Sequence, residues 1–197
     1  MLKLCLALLS ILTMETAMAA EIQKLPAPET TGGKPLMSAL SERRSTKEFA
    51  ADKSIDDQTL SEILWAAYGV NRPDGRRTIP TAMNEQNLQI YVLKADGAWL
   101  YEATDNSLRQ ITEKDLRPLL NAQSYMAAAP LSLVYAAKPD RFGAMHAGSA
   151  YQNVGLYAAS RGLGNVVRAY YDQEALAKAL ELPTDNVLIS QTLGWPK

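Results

Sequence analysis

The chain has 197 residues, of which 47% are hydrophobic and 21% are charged, and its formal net charge is −1. This length suits one domain with a substantial core, and the composition excludes collagen-like, disordered and multi-span membrane proteins. The balanced charge gives no general attraction to nucleic acid or anionic lipid, so we expect neither as a partner.

The first 19 residues contain the features of a secretory signal peptide in the expected order. Lys3 precedes a mostly apolar run at 4–14, and Ala17-Met18-Ala19 supplies the small residues of a cleavage site. A short buried helix is the alternative interpretation. The run is shorter than the roughly 20 residues that span a bilayer, so we expect no stable membrane insertion after cleavage. The pattern predicts a periplasmic or secreted protein.

Cleavage after residue 19 or 20 would remove Cys5, which is the only cysteine of the chain. The mature protein would then have no disulfide, no thiolate metal site and no cysteine nucleophile. Residues 20–35 are rich in Pro and Gly and predict an extended arm, which is followed by a single domain at 36–197.

The first half of that domain predicts two helices and a hairpin. A short helix is expected at 36–44, and a second begins at a Ser54-x-x-Asp57 capping box and ends at Gly69. Alternation at 88–92 predicts a strand, and an Asp-Gly turn at 96–97 leads into a second strand.

The second half predicts one long helix among shorter elements. That helix, at 145–161, carries many small residues, including Gly155, which would allow close packing on several sides. The other expected elements are a helix from Thr112 to before Pro130, strands at 131–137, 166–170 and 187–193, and a helix at 172–180. Because strands and helices do not alternate as βαβ units, we predict an α+β fold with a mixed sheet.

The strongest local signal for binding is the run Arg43-Arg44-Ser45-Thr46-Lys47. Guanidinium groups bind phosphate oxygens in bidentate fashion and a serine hydroxyl adds a donor, so the run suits a phosphate. A solvated basic turn is the alternative, since charged runs usually lie on the surface.

The chain has little equipment for catalysis by side chains alone. His146 is the only histidine, and its position at a predicted helix start favours a structural role. No dinucleotide-binding fingerprint, P-loop or metal cluster is present, and no hydrolase nucleophile and base can be paired. This favours a protein whose cofactor carries the chemistry, or one that catalyses nothing.

Four segments, in this order, resemble motifs of the FMN-dependent nitroreductase family. They are RRSTKEF at 43–49, PTAMNEQ at 80–86, an alanine-rich helix ending in GLG at 162–164, and GWP at 194–196. A hairpin containing Trp99-Leu100-Tyr101, followed by Gln123, is most similar to the branch that includes thiazoline and oxazoline dehydrogenases. The resemblance implies a mainly antiparallel sheet flanked by helices, and a homodimer with FMN bound between the subunits.

The resemblance also implies roles for individual residues. Arg43, Arg44 and Ser45 would hold the FMN phosphate, and Lys47 would stabilise charge on the reduced flavin ring. Pro80, Thr81 and Ala82 would reach the flavin of the other subunit, and Asn84 would support their turn. Gln123 (or Asn121) would contact the pyrimidine edge of the flavin. Arg168, Ala169 and Tyr170 would cover the other face of the ring.

The function implied is electron transfer through flavin N5, from a reduced donor to a small nitro, quinone or similar organic acceptor. No protein residue need act as a covalent or acid–base catalyst. The alternative is a non-catalytic, flavin-free binding module with the same fold. Retention of Arg43, Ser45 and Lys47 opposes that alternative.

Overall fold

The computed structural model describes residues 20–120 and 122–197. The predicted signal peptide therefore lies outside the described residues. Among those that are described, no helix has the length and apolar character needed to cross a membrane.

The described residues form a seven-stranded sheet and four α-helices. Every strand pairing is antiparallel, and the strand order is β1-β4-β3-β2-β5-β7-β6. The strands are β1 (Ile22–Lys24), β2 (Gln89–Lys94), β3 (Gly97–Glu102), β4 (Ser107–Thr112), β5 (Leu131–Ala136), β6 (Gly164–Arg168) and β7 (Val187–Gly194). The helices are α1 (Leu36–Glu42), α2 (Asp57–Tyr68), α3 (Arg141–Arg161) and α4 (Gln173–Ala179). The predicted α+β class, with a mainly antiparallel sheet flanked by helices, is confirmed. The sheet is not mixed, however, because every pairing among the described strands is antiparallel.

Apolar clusters cover both faces of the sheet. Ile90 and Val92 of β2 pack in the larger cluster with residues of α2 and α3. Tyr91 and Leu93, which alternate with them, pack in a second cluster with residues of α4. Because alternate side chains of a strand point to opposite faces, burial on both sides explains why β2 and β5 are almost continuously apolar.

The helix predicted from Thr112 to before Pro130 is wrong. Thr112 ends β4 instead, and short 3₁₀ turns at 117–120 and 124–128 follow. Leu116 and Leu120 have helical spacing and are buried, but Pro118 lies between them and cannot donate a helical hydrogen bond. Strand β4 was missed because its residues are mostly polar and its pairing with β1 and β3 decides its conformation.

Several boundaries differ from the sequence prediction. Helix α2 is capped by Asp56, whose Oδ1 accepts the Thr59 N–H at 2.7 Å, so the predicted Ser54 capping box is wrong. Helix α1 ends at Glu42, which leaves Arg43 and Arg44 outside it. Helix α3 begins four residues earlier than predicted, where Asp140 accepts the N–H groups of residues 142 and 143.

The N-terminal arm is more ordered than an extended linker. Its first part is β1, which extends the sheet by pairing with β4. Its middle is held where the Pro26 carbonyl accepts from Ser61 Oγ at 2.6 Å, and its end where the Lys34 N–H donates to Ser160 Oγ at 2.8 Å. The arm thus crosses α2 and brings Lys34 to the C-terminal end of α3.

Candidate functional site

A groove of about 720 Å³ lies between α1, the C-terminal end of α3 and the last residues of the chain. Its charged side chains are mostly cationic. They are Lys34, Arg43, Arg44, Lys47 and Lys197, together with the carboxylates of Glu42 and Glu48. An excess of positive charge in a concave surface favours an anionic ligand.

The backbone of the basic segment is fixed at several points. The Arg43 N–H makes the last hydrogen bond of α1, to Ala39 O, and the Thr46 N–H donates to Asn165 O at 2.8 Å. Phe49, which is 4% exposed, packs against Ala129 and Val166. Residues 43–47 therefore line the groove on a backbone that is anchored at both ends.

The basic side chains of this segment are available to a ligand. Lys34 pairs with Glu42 at 2.5 Å. In contrast, the side chains of Arg43, Arg44 and Lys47 make no ion pair or hydrogen bond with any residue that the structure describes. Three neighbouring cations that have no partner in the described part of the chain repel one another, and an anion bound between them would relieve that repulsion.

Two glycines lie against the segment, and at Gly164 there is no room for a Cβ atom. A Cβ atom on Gly164 would lie 2.7 Å from Thr46 Cγ2, and one on Gly155 would lie 3.7 Å from Arg43 Cδ. The stem of Arg43 thus lies directly over Gly155 of α3. The sequence predicts close packing on several sides of this helix, and at Gly155 the neighbour is a side chain of the same chain, at the groove.

The PTAMNEQ loop lies elsewhere and is held by the only histidine. The Ala82 N–H donates to His146 Nε2 at 2.8 Å, and His146 Nδ1 lies 3.2 Å from Asn87 Oδ1. Because Nε2 accepts, the proton is on Nδ1, which donates to Asn87. His146 is 3% exposed, so it has the structural role that its sequence position favoured.

Three non-glycine residues of the same loop have left-handed backbone conformations. The φ angles are 50° for Met83, 57° for Asn84 and 49° for Gln86. Asn84 Oδ1 accepts from Gln86 Nε2 at 3.0 Å, and Gln86 Oε1 accepts from Arg77 Nε at 2.9 Å. Such conformations cost free energy and persist where surrounding contacts enforce them, often at binding sites.

The remaining predicted residues lie near the end of β6. Arg168 is 7% exposed, and one of its guanidinium nitrogens donates to Tyr170 O at 2.9 Å. Ala169 and Tyr170 are exposed, with 70% of Tyr170 accessible. Gln123 is an exposed residue between the two 3₁₀ turns, and Asn121, its predicted alternative, lies outside the described residues.

One chain therefore brings together only part of the predicted site. Arg43, Arg44, Ser45 and Lys47 line the groove. The loop at 80–84, Gln123 and the segment 168–170 do not line it. Of the described residues, no group of three or more His, Cys, Asp or Glu is arranged to hold a metal ion.

Comparison with known proteins agrees with this architecture. A model of the nitroreductase family matches residues 40–195. The chain belongs to the nitroreductase family. A protein of Methanocaldococcus jannaschii that is provisionally named a nitroreductase is 34% identical over 161 residues, which cover 71% of this chain and 81% of the relative.

Solved structures show the same fold. A provisionally named nitroreductase from Ralstonia eutropha is 36% identical, with a TM-score of 0.82 and coverage of 89% of this chain and 90% of that one. A family structure from Desulfovibrio desulfuricans, solved with FMN, is 21% identical, with a TM-score of 0.57 and coverage of 84% and 88%. The Escherichia coli microcin synthetase complex contains a chain 19% identical, with a TM-score of 0.68 and coverage of 99% and 85%.

Sequence reasoning gave no binding role to Lys34, Asn165 and Lys197, three polar residues that line the groove of this member of the nitroreductase family. No local sequence pattern indicates that Lys34 lines the groove, because the N-terminal arm brings it to the groove from outside the domain core. Lys197 lies next to the GWP motif, and its N–H donates to Glu48 O at 3.3 Å. Asn165 directly follows the GLG motif, so its position could have been found from the sequence, although its contacts could not.

Proposed function

We propose that the chain is an FMN-dependent oxidoreductase that passes electrons between a reduced donor and a small organic acceptor. The observation that carries the proposal is the groove with three cations that have no partner among the described residues, in a chain of the nitroreductase family. Bound FMN would supply hydride and electron transfer at its N5 atom.

The groove residues fit the phosphate end of this cofactor. Arg43 and Arg44 offer guanidinium groups to phosphate oxygens, and the Ser45 hydroxyl is a further donor. Lys47 lies two residues farther along the same anchored segment, where its charge would stabilise the anionic reduced ring. The relative from Desulfovibrio desulfuricans, solved with FMN, supports this choice of cofactor.

The other site residues fit a cofactor shared between two subunits. Pro80, Thr81 and Ala82 do not line their own chain's groove, so we assign them to the groove of a partner subunit, with Asn84 shaping their turn. We assign the remaining contacts with the flavin ring to Gln123, Arg168, Ala169 and Tyr170, and propose that Tyr170 narrows the space for substrate.

An exposed apolar surface supports the homodimer. Leu36 and Met37 of α1 are 63% and 75% exposed, and Met145 of α3 is 63% exposed. Leu40, also in α1, is 44% exposed. Exposed apolar patches are typical of surfaces that associate. We therefore place the subunit contact on the α1–α3 side of the molecule.

FMN titration of the purified protein tests the cofactor. We expect wild-type protein to be yellow and to bind FMN. Replacing Arg43 by Ala should lower the affinity by about ten- to a hundredfold, because it removes a charge-assisted hydrogen bond of about 1.5–3 kcal/mol. Lys178→Ala, on the exposed surface of α4, is the control and should bind normally. Colourless wild-type protein that binds no FMN would contradict the enzyme proposal and favour the non-catalytic module.

Lys47→Ala should have a different effect. Because the proposed partner of Lys47 is the reduced ring, its removal should lower the flavin reduction potential more than it weakens binding of oxidised FMN. Redox titration of the FMN-loaded variant against wild type measures this difference. Equal potentials in the two proteins would refute the role of Lys47 and leave the cofactor assignment intact.

A further inference from the structure

A connected series of buried polar side chains runs from the centre of the sheet to the groove. Tyr135 OH donates to Gln191 Oε1 at 2.6 Å, and Gln191 Nε2 donates to Asn165 Oδ1 at 3.0 Å. Tyr135 and Gln191 are completely buried, and Asn165 is 5% exposed. Burying polar groups costs free energy unless they are paired, so a buried series of this kind calls for a structural or functional explanation.

The donor and acceptor in each of these hydrogen bonds are determined, because the side-chain amide of Gln191 cannot be turned around. Gln191 Nε2 also donates to the backbone carbonyl of Tyr151 at 3.2 Å, and a carbonyl can only accept. The nitrogen of Gln191 must therefore face Tyr151 and Asn165, and the oxygen must face Tyr135. Both protons of the Gln191 amide are used, and the acceptor they find on Asn165 must be its oxygen.

This arrangement leaves the amide nitrogen of Asn165 as a donor at the groove. Asn165 lines the groove, and its Nδ2 has no acceptor among the residues that the structure describes. Its side chain lies beside the stem of Arg43, since atoms of both lie within 3.7 Å of the position that a Cβ atom on Gly155 would occupy. Asn165 as a residue is 5% exposed, and an amide nitrogen without a described acceptor at a cationic groove is suited to an anionic ligand.

We propose that Asn165 is a ligand-binding residue, whose amide donates to a phosphate oxygen beside Arg43, and that Gln191 and Tyr135 are positioning residues for that amide. This rests on the proposed function in that the phosphate is the one carried by FMN. The arginines supply charge, which attracts any anion. The amide adds a neutral donor of fixed direction, which selects a ligand whose oxygen lies at that point.

The first experiment compares FMN with riboflavin, which has no phosphate. Asn165→Asp keeps the shape of the side chain but replaces the donor by an acceptor. We expect it to weaken FMN binding about ten- to a hundredfold and to leave riboflavin binding nearly unchanged. Tyr135→Phe, which removes only the hydroxyl, should reduce the preference for FMN by a smaller factor. A general structural defect would weaken both ligands equally, so equal losses would refute the proposal.

The control for these variants is Thr192→Val. Thr192 follows Gln191 in β7, is completely buried and shares a side-chain hydrogen bond with Ser132 at 3.1 Å, but it does not line the groove. It should keep the wild-type ratio of FMN to riboflavin affinity. A change in that ratio as large as that of Asn165→Asp would also contradict the assignment.

The second experiment observes the amide itself. In ¹⁵N-labelled wild-type protein, titration with inorganic phosphate should shift the side-chain amide resonances of Asn165, and Tyr135→Phe should reduce the shift. Phosphate binding that leaves these resonances unmoved would refute the proposal whether or not FMN binds. If they shift but no FMN binds, the role of Asn165 stands and the proposed function fails. If FMN binds equally well to wild type and Asn165→Asp, the proposed function stands and the role of Asn165 is refuted.

Discussion

Gly155 shows how a single residue determines the position of a charged side chain. A Cβ atom there would lie 3.6 Å from Asn165 Oδ1 and 3.7 Å from two carbons of Arg43, which is ordinary contact distance. A methyl group therefore fits, but a branched side chain would occupy the space of the Arg43 stem. The position therefore requires a small side chain, and not the backbone freedom of glycine.

We expect Gly155→Leu to weaken FMN binding and Gly155→Ala to retain it. Leucine should displace Arg43 from the groove, with an overpacking cost of about 1–3 kcal/mol. Alanine fits and is also the better helix former. FMN affinity and urea unfolding of the two variants measure the difference. Tight FMN binding by Gly155→Leu would show that the position of Arg43 is unimportant.

At the scale of elements, a buried carboxylate connects α2, α3 and the N-terminal arm. Glu62 is 5% exposed, accepts from Tyr157 OH at 2.7 Å and pairs with Arg161 at 2.9 Å, while Arg161 also pairs with Glu29 of the arm at 3.4 Å. Burial raises the pKa of Glu62, but hydrogen bonds from Gln58 and Tyr157 and the charge of Arg161 outweigh it. The pKa of Glu62 is therefore lower than its usual value of 4.5.

This shift predicts a pH-dependent contribution to stability. Because the pKa is lower in the folded state, the charged form of Glu62 stabilises the fold above about pH 4.5, and that contribution is lost as the pH falls through the folded-state pKa. We expect Glu62→Gln to lower the free energy of unfolding by about 1.5–3 kcal/mol at pH 7. Urea unfolding should show this difference narrowing toward pH 3.

The exposed acid Glu113 provides the matched control. Glu113→Gln should leave the free energy of unfolding unchanged at both pH values, since surface charges contribute little. A Glu62→Gln protein as stable as wild type at pH 7 would mean that the contacts with Tyr157 and Arg161 contribute no net stability.

The same scale shows where prediction from sequence succeeded. Helix α2, the β2–β3 hairpin, β5, α3 and β7 have strong apolar patterns or turn residues, and each was found within a few residues of its boundaries. Strands β1 and β4 have no such pattern. They pair with each other at one edge of the sheet, and that pairing, rather than local preference, defines them.

For the whole molecule, we expect a homodimer. The proposed FMN site needs a second chain, because residues 80–84 do not line the groove that residues 43–47 line in the same chain. Met37→Glu should weaken the dimer by placing a charge in its proposed apolar contact, whereas Lys178→Glu, on the exposed surface of α4, should not. Light scattering measures the mass of each. A stable wild-type monomer that still binds FMN would contradict the shared site.

We also expect export with removal of the first 19 or 20 residues. The ordered charge, apolar run and small-residue site support this prediction. Export would separate the enzyme from the soluble NAD(P)H of the cytoplasm, so its electron donor would be of another kind. N-terminal sequencing of the native protein tests this. A native chain that begins at Met1 would make NAD(P)H the expected donor again.

The sequence by itself determined the family, the fold class and the basic segment that lines the groove. These depend on short motifs, apolar periodicity and a local concentration of charge, all of which act over a few residues. Only the tertiary structure decided that Lys34 and Asn165 join Arg43 at the groove and that Gly155 makes room for it. It also decided that His146 holds Ala82 rather than acting in catalysis. Each of these contacts joins residues far apart in the chain, and only packing of the arm, α3 and β6 brings them within hydrogen-bonding or van der Waals distance.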